Sequence, residues 1–363
     1  MSVYLDYQAT TPLAPEALAA MQPWLADKFA NPHSPHRPGR EAAAAVEVAR
    51  EAVAALLPPG GRVYFTSGAT EALNWALRCA GHGGGISLPE TEHAAVRDTA
   101  LWLGTQGRKV ALLGVDAEGL ASPHPPLAPG TAMVAAMLVN NEIGVIQPIA
   151  GLAEQAHAAG ALFLCDAVQG FGRMPIPDGP DLIAVSAHKI HGPKGIGALW
   201  VREGVSIEPL LHGGGQEGGL RSGTLSPALC AGFGAAARLA AARMADEAAH
   251  VEKLWAIANA ELPTGWAING STTHRYLGNF NIRHDGVDVA RLISDLRDIA
   301  FSAGSACASG SGRPSHVLRA LGLSDAQARS SIRIGFGRYT TEDALRRALQ
   351  RIFQSAQQQR TMA

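Results

Sequence analysis

The sequence predicts an α/β fold built on a mostly parallel, mixed sheet with helices on both faces, and a smaller C-terminal α/β domain. Three observations carry this expectation. Short apolar runs of strand length alternate with helical stretches through the N-terminal half. Several of these runs stop abruptly at polar side chains, as strands do at the carboxyl edge of an open α/β sheet, where ligands sit. A long alanine-rich stretch at 227–262 is followed by a second, shorter alternation of strands and helices.

The length of 363 residues suits two domains. The expected division puts 12–246 in a large domain and 1–11 with 247–363 in a small one. With 47% hydrophobic and 17% charged residues, a large core is available and disorder is not expected. A net charge of −1 gives no electrostatic case for nucleic acid or an anionic membrane. The first residues lack a basic region followed by an apolar core, and no apolar run reaches membrane-spanning length, so the cytoplasm is the expected compartment. The four cysteines, Cys79, Cys165, Cys230 and Cys307, form no CxxC pair, which argues against a zinc site or a disulfide framework. The first three sit among apolar residues and read as core thiols.

In chain order, 3–7 is extended, 16–29 has helical spacing, and 31–36 is a loop bearing His33 and His36 with no further metal ligand beside them. The alanine-rich stretch 40–57 is a helix stopped by Pro58-Pro59-Gly60. Strand 63–65 leads through Ser67-Gly68-Ala69-Thr70 into a helix at 72–80. Strands follow at 86–88, 110–113 and 131–139, then a helix at 149–160 and strands at 161–165 and 181–185. Strand 197–201, after the tight Gly192-Pro193-Lys194-Gly195 turn, is expected to run back antiparallel. Beyond the helix at 227–262, strands at 276–282, 299–302 and 331–335 alternate with helices at 288–296, 315–321 and 341–357.

Chemistry concentrates between 163 and 195. Asp166 and Gln169 follow one buried strand; Ser186, His188 and Lys189 follow the next. An acid and a lysine leaving adjacent strand ends on one side is what a pyridoxal phosphate site requires: the lysine forms the Schiff base and the acid keeps the pyridine nitrogen protonated. The Ser67–Thr70 turn offers free amides and a helix N-terminus to an anion. It suits one phosphate better than a dinucleotide, because GxGxxG is absent. The plainer alternative is an ordinary cap, by Ser67 in a capping box or by Thr70 alone. His93 and Asn141 also stand at strand ends; His93 could lie over a planar cofactor or simply cap a helix. The glycine-rich stretch 212–224 reads either as close backbone approach or as a flexible surface loop. Cys307, in a run of Gly, Ser and Ala within 301–314, reads as an exposed mobile nucleophile or as a chance surface cysteine.

Ten segments, among them YLDYQATTP, TSGATEALN, TEHAAV, VNNEIGVIQPI, CDAVQGFG, SAHKIHGPKGIGALW, SAGSACASG and SSIRIGFGRYTTE, run in order from Tyr4 to Glu342. In these the chain resembles the cysteine desulfurases of the class V aminotransferase group, fold type I of the pyridoxal phosphate enzymes. The resemblance implies that Lys189 binds the cofactor and moves the substrate's α-proton, that Asp166 pairs with the pyridinium, and that Gln169 bonds the ring hydroxyl. It implies His93 stacked on the ring and assisting proton transfer. Thr70, Ser186, His188 and the Ala69 turn would hold the phosphate, with Thr224 reaching it from the other subunit of a homodimer. Asn141 would contact cofactor and substrate, Arg333 would take the substrate carboxylate, and Cys307 would receive the sulfur as a persulfide, leaving L-alanine. A sulfur-acceptor protein is implied, serving iron–sulfur cluster assembly or thiolation of tRNA or a cofactor. Selenocysteine lyase, a related C–S lyase, or a non-enzymatic sulfur carrier are the alternatives. The chain departs from the family pattern at Gln8, where a small hydroxyl residue is common, at Ala187, where glycine is frequent, and at Gly218 and Gly219, where arginine is frequent. It also stops soon after Gln357, where longer relatives extend toward the scaffold protein.

Overall fold

The computed structural model describes residues 2–122, 126–304 and 314–361. The N-terminal segment contributes β1 (Val3–Tyr4), followed by α1 (Pro15–Leu25) and α2 (Arg37–Ala54). The main sheet is then laid down by β2 (Gly61–Thr66), β3 (Gly85–Pro89), β4 (Val110–Leu113), β5 (Thr131–Met137), β6 (Leu162–Asp166), β7 (Leu182–Ser186) and β8 (Gly197–Arg202). The helices between them are α3 (Ala69–Cys79), α4 (Ala94–Thr105) and α5 (Ile149–Ala158).

The seven strands lie in the order β2-β8-β7-β6-β5-β3-β4. All neighbours pair parallel except β8, which runs antiparallel to both β2 and β7, as the GPKG turn predicts. Alternation along the strands explains the double cover. Phe163, Cys165, Ile183, Val185 and Trp200 enter a core shared with α1, α2, α5 and α6 (Pro227–Ala260). Leu164, Leu182, Ala184, Leu199 and Val201 enter the opposite core with α3 and α4. Side chains of period two are buried on both faces, so these strands read as continuous apolar runs.

A second sheet, β12 (Ser302–Ala303), β13 (Ser331–Gly335), β10 (Asn279–Arg283) and β9 (Ala267–Ile268) in that order, packs against the C-terminal helix α10 (Glu342–Thr361). Its core contains Phe280, Ile282, Ile332, Ile334, Leu349 and Ile352. Helix α7 (Val289–Asp295) adds Val289 and Leu292 to this core, whereas α8 (His316–Ala320) and α9 (Asp325–Arg329) bury Val317, Leu318 and Ala328 in a separate cluster with Ile143 and Val145, which follow β5. Strand β1 pairs parallel with β11 (Ile299–Ala300), so the N-terminus belongs physically to the C-terminal core. Helix α6 serves both cores: Phe233 and Ala237 lie in the first, Val251 and Leu254 in the second.

Most expected elements occur with shifted ends. The helix expected over 16–29 stops at Leu25, and the strand expected from Tyr276 begins at Asn279. His36 is a helix cap, its Nδ1 accepting from the Gly39 amide at 3.1 Å. Among the described residues no helix is long and apolar enough to cross a membrane and no His, Cys, Asp and Glu group could hold a metal ion.

Candidate active site

A cavity of about 520 Å³ opens at the carboxyl edge of the main sheet. It gathers Ala69, Thr70, His93, Asn141, Asp166, Gln169, Ser186, His188, Lys189 and Arg333, separated by up to 264 positions in sequence. The size suits a small cofactor with a small substrate. Strand geometry does the gathering: Asp166 ends β6, Ser186 ends β7, and His188 and Lys189 lie in the single tight turn that follows.

Lys189 Nζ donates to the backbone oxygens of Gln8 and Ala9 at 2.6 and 2.7 Å. Burial, with the nearby cations Arg173 and Arg333, depresses its pKa to about 7. About half of the amine is therefore neutral, and nucleophilic, at neutral pH. Asp166 is buried and accepts from the Val168 amide at 3.0 Å; burial pushes its carboxyl pKa up. Such a group favours a cation placed against it. His93 caps α4, with Nδ1 accepting from the Ala95 amide at 3.0 Å. In the neutral ring the proton then sits on Nε2. Burial lowers its pKa, so the neutral ring is favoured. The cap and the cavity position are thus compatible, not rival, readings of this residue.

The turn before α3 differs from both caps expected of it. Neither Ser67 nor Thr70 caps the helix: Gly68 holds the cap position with no side-chain bond. Having no side chain at the cap leaves the amides of the turn open to a ligand. The Ser67 amide is instead taken by Glu71 at 2.8 Å. Gly197 of β8 lies directly under this turn. A Cβ there would stand 2.7 Å from the Gly68 carbonyl carbon and 2.8 Å from the Ala69 nitrogen.

Arg333 is 1% exposed. It donates to Asp6 Oδ1 at 2.7 Å and to the Asn141 oxygen at 3.0 Å, and its Nε is buried without a partner. Gln169 donates to the Gln8 oxygen at 2.9 Å and accepts from Arg173 at 2.8 Å. His188 Nδ1 faces Thr10 Oγ1 at 3.1 Å, and burial depresses its pKa to about 4.

Thr224, expected to reach the phosphate from the other subunit, is exposed on its own chain and stands apart from that chain's own cavity. Cys307 and the segment 305–313 lie outside the described residues. The glycine-rich stretch is not a free loop, because Glu217 within it is buried on Arg50 at 2.7 Å. Residues that sequence reasoning passed over include Asp6, Arg173, Glu92 and Glu142. Glu92 and Glu142 are both buried; burial pushes Glu92 well above the usual carboxyl range and Glu142 to about 7. Their immediate neighbours, Thr91 and His93, and Asn141 and Ile143, are mostly polar, so no local pattern marks either acid as buried.

The residues present fit pyridoxal phosphate. A half-neutral lysine meets an aldehyde, a buried acid meets a ring cation, open amides over Gly197 meet a phosphate, and the unpartnered Arg333 Nε meets a carboxylate.

Residues 3–347 match the family model described as aminotransferase class-V. The chain is 40% identical to "Cysteine desulfurase IscS" of Rickettsia akari (strain Hartford), over 95% of this chain and 88% of the relative. It superposes on a solved "NIFS-LIKE PROTEIN" with a TM-score of 0.89 and 32% identity, covering 98% of this chain and 99% of that one. A structure titled "SspA in complex with cysteine" superposes with a TM-score of 0.81 and 34% identity, covering 94% of this chain and 100% of the other.

Proposed function

Since the chain belongs to the aminotransferase class-V family, and within it to the cysteine desulfurases, we propose that it takes sulfur from L-cysteine with the help of pyridoxal phosphate and stores it on Cys307. The observation that carries this reading is the convergence of Lys189, Asp166, His93 and Arg333 on one cavity. The relatives are named for cysteine, so selenocysteine lyase is not favoured.

Lys189 would hold the cofactor's aldehyde carbon, Asp166 its ring nitrogen, Gln169 its ring hydroxyl, and Ala69, Thr70, Ser186 and His188 its phosphate. When bound, the cofactor supplies an electron sink for the pair left on the substrate α-carbon. Arg333 positions the substrate carboxylate through a charge-assisted bond, with Asn141 beside it. Lys189 Nζ, once free and neutral, is the base for the α-proton, and His93 Nε2 carries the proton it exchanges with the substrate. In the net reaction the substrate C–S bond breaks and an S–S bond forms to Cys307. The β-carbon gains an electron pair and a proton, giving L-alanine, and the transferred sulfur is left as a persulfide. A thiolate is the attacking form. The persulfide then passes to an acceptor protein, for iron–sulfur assembly or thiolation.

A homodimer with Thr224 donated across the interface, a large domain of 12–246 and a small one of 1–11 with 247–363 belong to the same reading. So does the cytoplasm, a compartment that keeps thiols such as Cys79, Cys165 and Cys230 reduced.

The test is the visible spectrum with and without L-cysteine, with alanine and protein persulfide assayed in wild type and Cys307→Ala. A yellow protein whose band shifts with L-cysteine, and which loses alanine formation in the variant, is expected. Undiminished alanine formation in Cys307→Ala would remove the persulfide step. A colourless chain that stays inert after pyridoxal phosphate is added would remove the enzyme reading.

A further inference from the structure

Two acid–arginine pairs fasten the glycine-rich segment between β8 and α6, Arg221 to Glu71 in the first turn of α3 and Glu217 to Arg50 of α2. Arg221 reaches Glu71 with Nε on Oε1 at 2.7 Å and Nη2 on Oε2 at 3.1 Å. The same Glu71 accepts the Ser67 amide at 2.8 Å. Two residues upstream, the Phe65 amide donates to Glu217 at 2.8 Å. Glu217 is in turn gripped by both Arg50 terminal nitrogens at 2.7 and 2.8 Å. It adopts the left-handed conformation, φ 50°, uncommon for a residue with a side chain, and is 6% exposed. Such a conformation persists only where its surroundings fix it. The amides of Phe65 and Ser67 are therefore committed to carboxylates, and those of Gly68, Ala69 and Thr70 come next along the chain.

Burial would raise the Glu71 carboxyl pKa, but the hydrogen bonds from Arg221 and Ser67 outweigh it and hold the group ionised. A carboxylate close to a phosphate site repels its ligand. A position that costs binding electrostatically needs a geometric reason.

We propose that Glu71 is a positioning residue: braced by Arg221, it fixes the Ser67 amide and so sets the angle at which the following amides meet the cofactor phosphate. Glu217 and Arg50 anchor the bracing segment. The inference rests on the phosphate reading of this turn given above, and it makes a prediction of opposite sign to charge alone. Removing Glu71 removes a repulsive charge and should tighten phosphate binding if geometry were irrelevant; the brace predicts weakening.

The test compares two ligands on the full-length chain stripped of cofactor: pyridoxal 5'-phosphate, and pyridoxal, which has the same ring and aldehyde without the phosphate. Wild type should prefer the phosphorylated ligand by far more than about tenfold. If it does not, the phosphate reading itself fails, whatever Glu71 does. Given that preference, Glu71→Leu should bind pyridoxal phosphate about tenfold or more weakly while its pyridoxal affinity stays within about twofold. Glu71→Gln keeps an acceptor for the Ser67 amide and should fall between wild type and Glu71→Leu. Arg221→Gln, which loosens the brace from the other side, should shift the ratio in the same direction. Unchanged or tighter pyridoxal phosphate binding in Glu71→Leu overturns the inference. So does an equal loss of both ligands, which would mean a general structural role. Should Glu71→Leu fail to fold, Glu71→Gln and Arg221→Gln decide by the same ratio.

Discussion

The reactivity of Lys189 is set by its surroundings, and pH is the direct way to perturb it. Burial, followed by the charges of Arg173 and Arg333, moves its pKa from the usual 10.5 to about 7. At pH 7 about half of the amine is neutral, against roughly three parts in ten thousand for an ordinary lysine, a gain of roughly 1,500-fold in nucleophile. Incorporation of pyridoxal phosphate into the stripped protein should therefore rise about tenfold per pH unit below ~7 and level off above ~8. Borohydride trapping, with mass analysis of the peptide containing Lys189, measures it. In Arg173→Gln the midpoint should move upward. The same shift bears on stability with a definite sign. Between pH 7 and 10.5 the unfolded chain holds a proton on this amine that the folded chain lacks, so Lys189 makes the folded state gain with rising pH, by about 1.4 kcal/mol per unit. The difference in unfolding free energy between wild type and Lys189→Met should show that slope. A trapping rate still climbing tenfold per unit at pH 9 would refute the reasoning, since the amine would then be an ordinary one.

Gly197→Ala should destabilise the fold by about 1–3 kcal/mol and weaken phosphate binding, because its Cβ meets rigid backbone at the Gly68–Ala69 peptide and at Val185 O; urea unfolding and cofactor titration check both. Glu142, pushed to about 7 by burial against one hydrogen bond from Ser315 at 2.5 Å, holds a proton in the folded state that the unfolded chain releases above about 4.5. Stability therefore falls from pH 4.5 to 7 on its account, and Glu142→Gln should gain up to ~3 kcal/mol over wild type at pH 8 while matching it at pH 4.5, by urea unfolding at the two pH values. Burial raises the Cys165 thiol pKa well above the usual value and the Cys230 thiol pKa to about 12. Neither should react with a thiol reagent at pH 8 until denaturant is added, as peptide mass mapping will show.

The carboxyl edge of the main sheet was readable because parallel strands announce themselves: Phe163–Cys165 and Leu182–Val185 are apolar throughout, and the first polar residue after each must lie in the crevice. What escaped reading was short or remote. Strand β9 is two residues long, too brief for any period. Helix α9 is only five residues, although its Ser324–Gln327 capping box was written in the sequence. Ser67 and Thr70 looked like caps because hydroxyls usually cap; here Glu71 reaches back to the Ser67 amide and Gly68 takes the cap position. Arg333 comes from the second sheet, where no strand-end rule applies, and its role rested on family resemblance. The Asp6–Arg333 pair joins residues 327 apart, a relation that no local pattern carries.

The pairing of β1 with β11 has a consequence for how the enzyme comes into being. Gln8 and Ala9 supply the oxygens that hold Lys189, and Asp6 holds Arg333. Residues 3–9 can therefore take their final places only after residues 299–333, about 300 positions later, have been made. At roughly 5–20 residues per second, that leaves the segment waiting on the order of tens of seconds. The central sheet can condense in the interval, but the lysine and arginine acquire their partners only when residues 3–9 meet β11 and β13. Competence to bind substrate should thus be a late event in biogenesis, separable in time from the burial of the core.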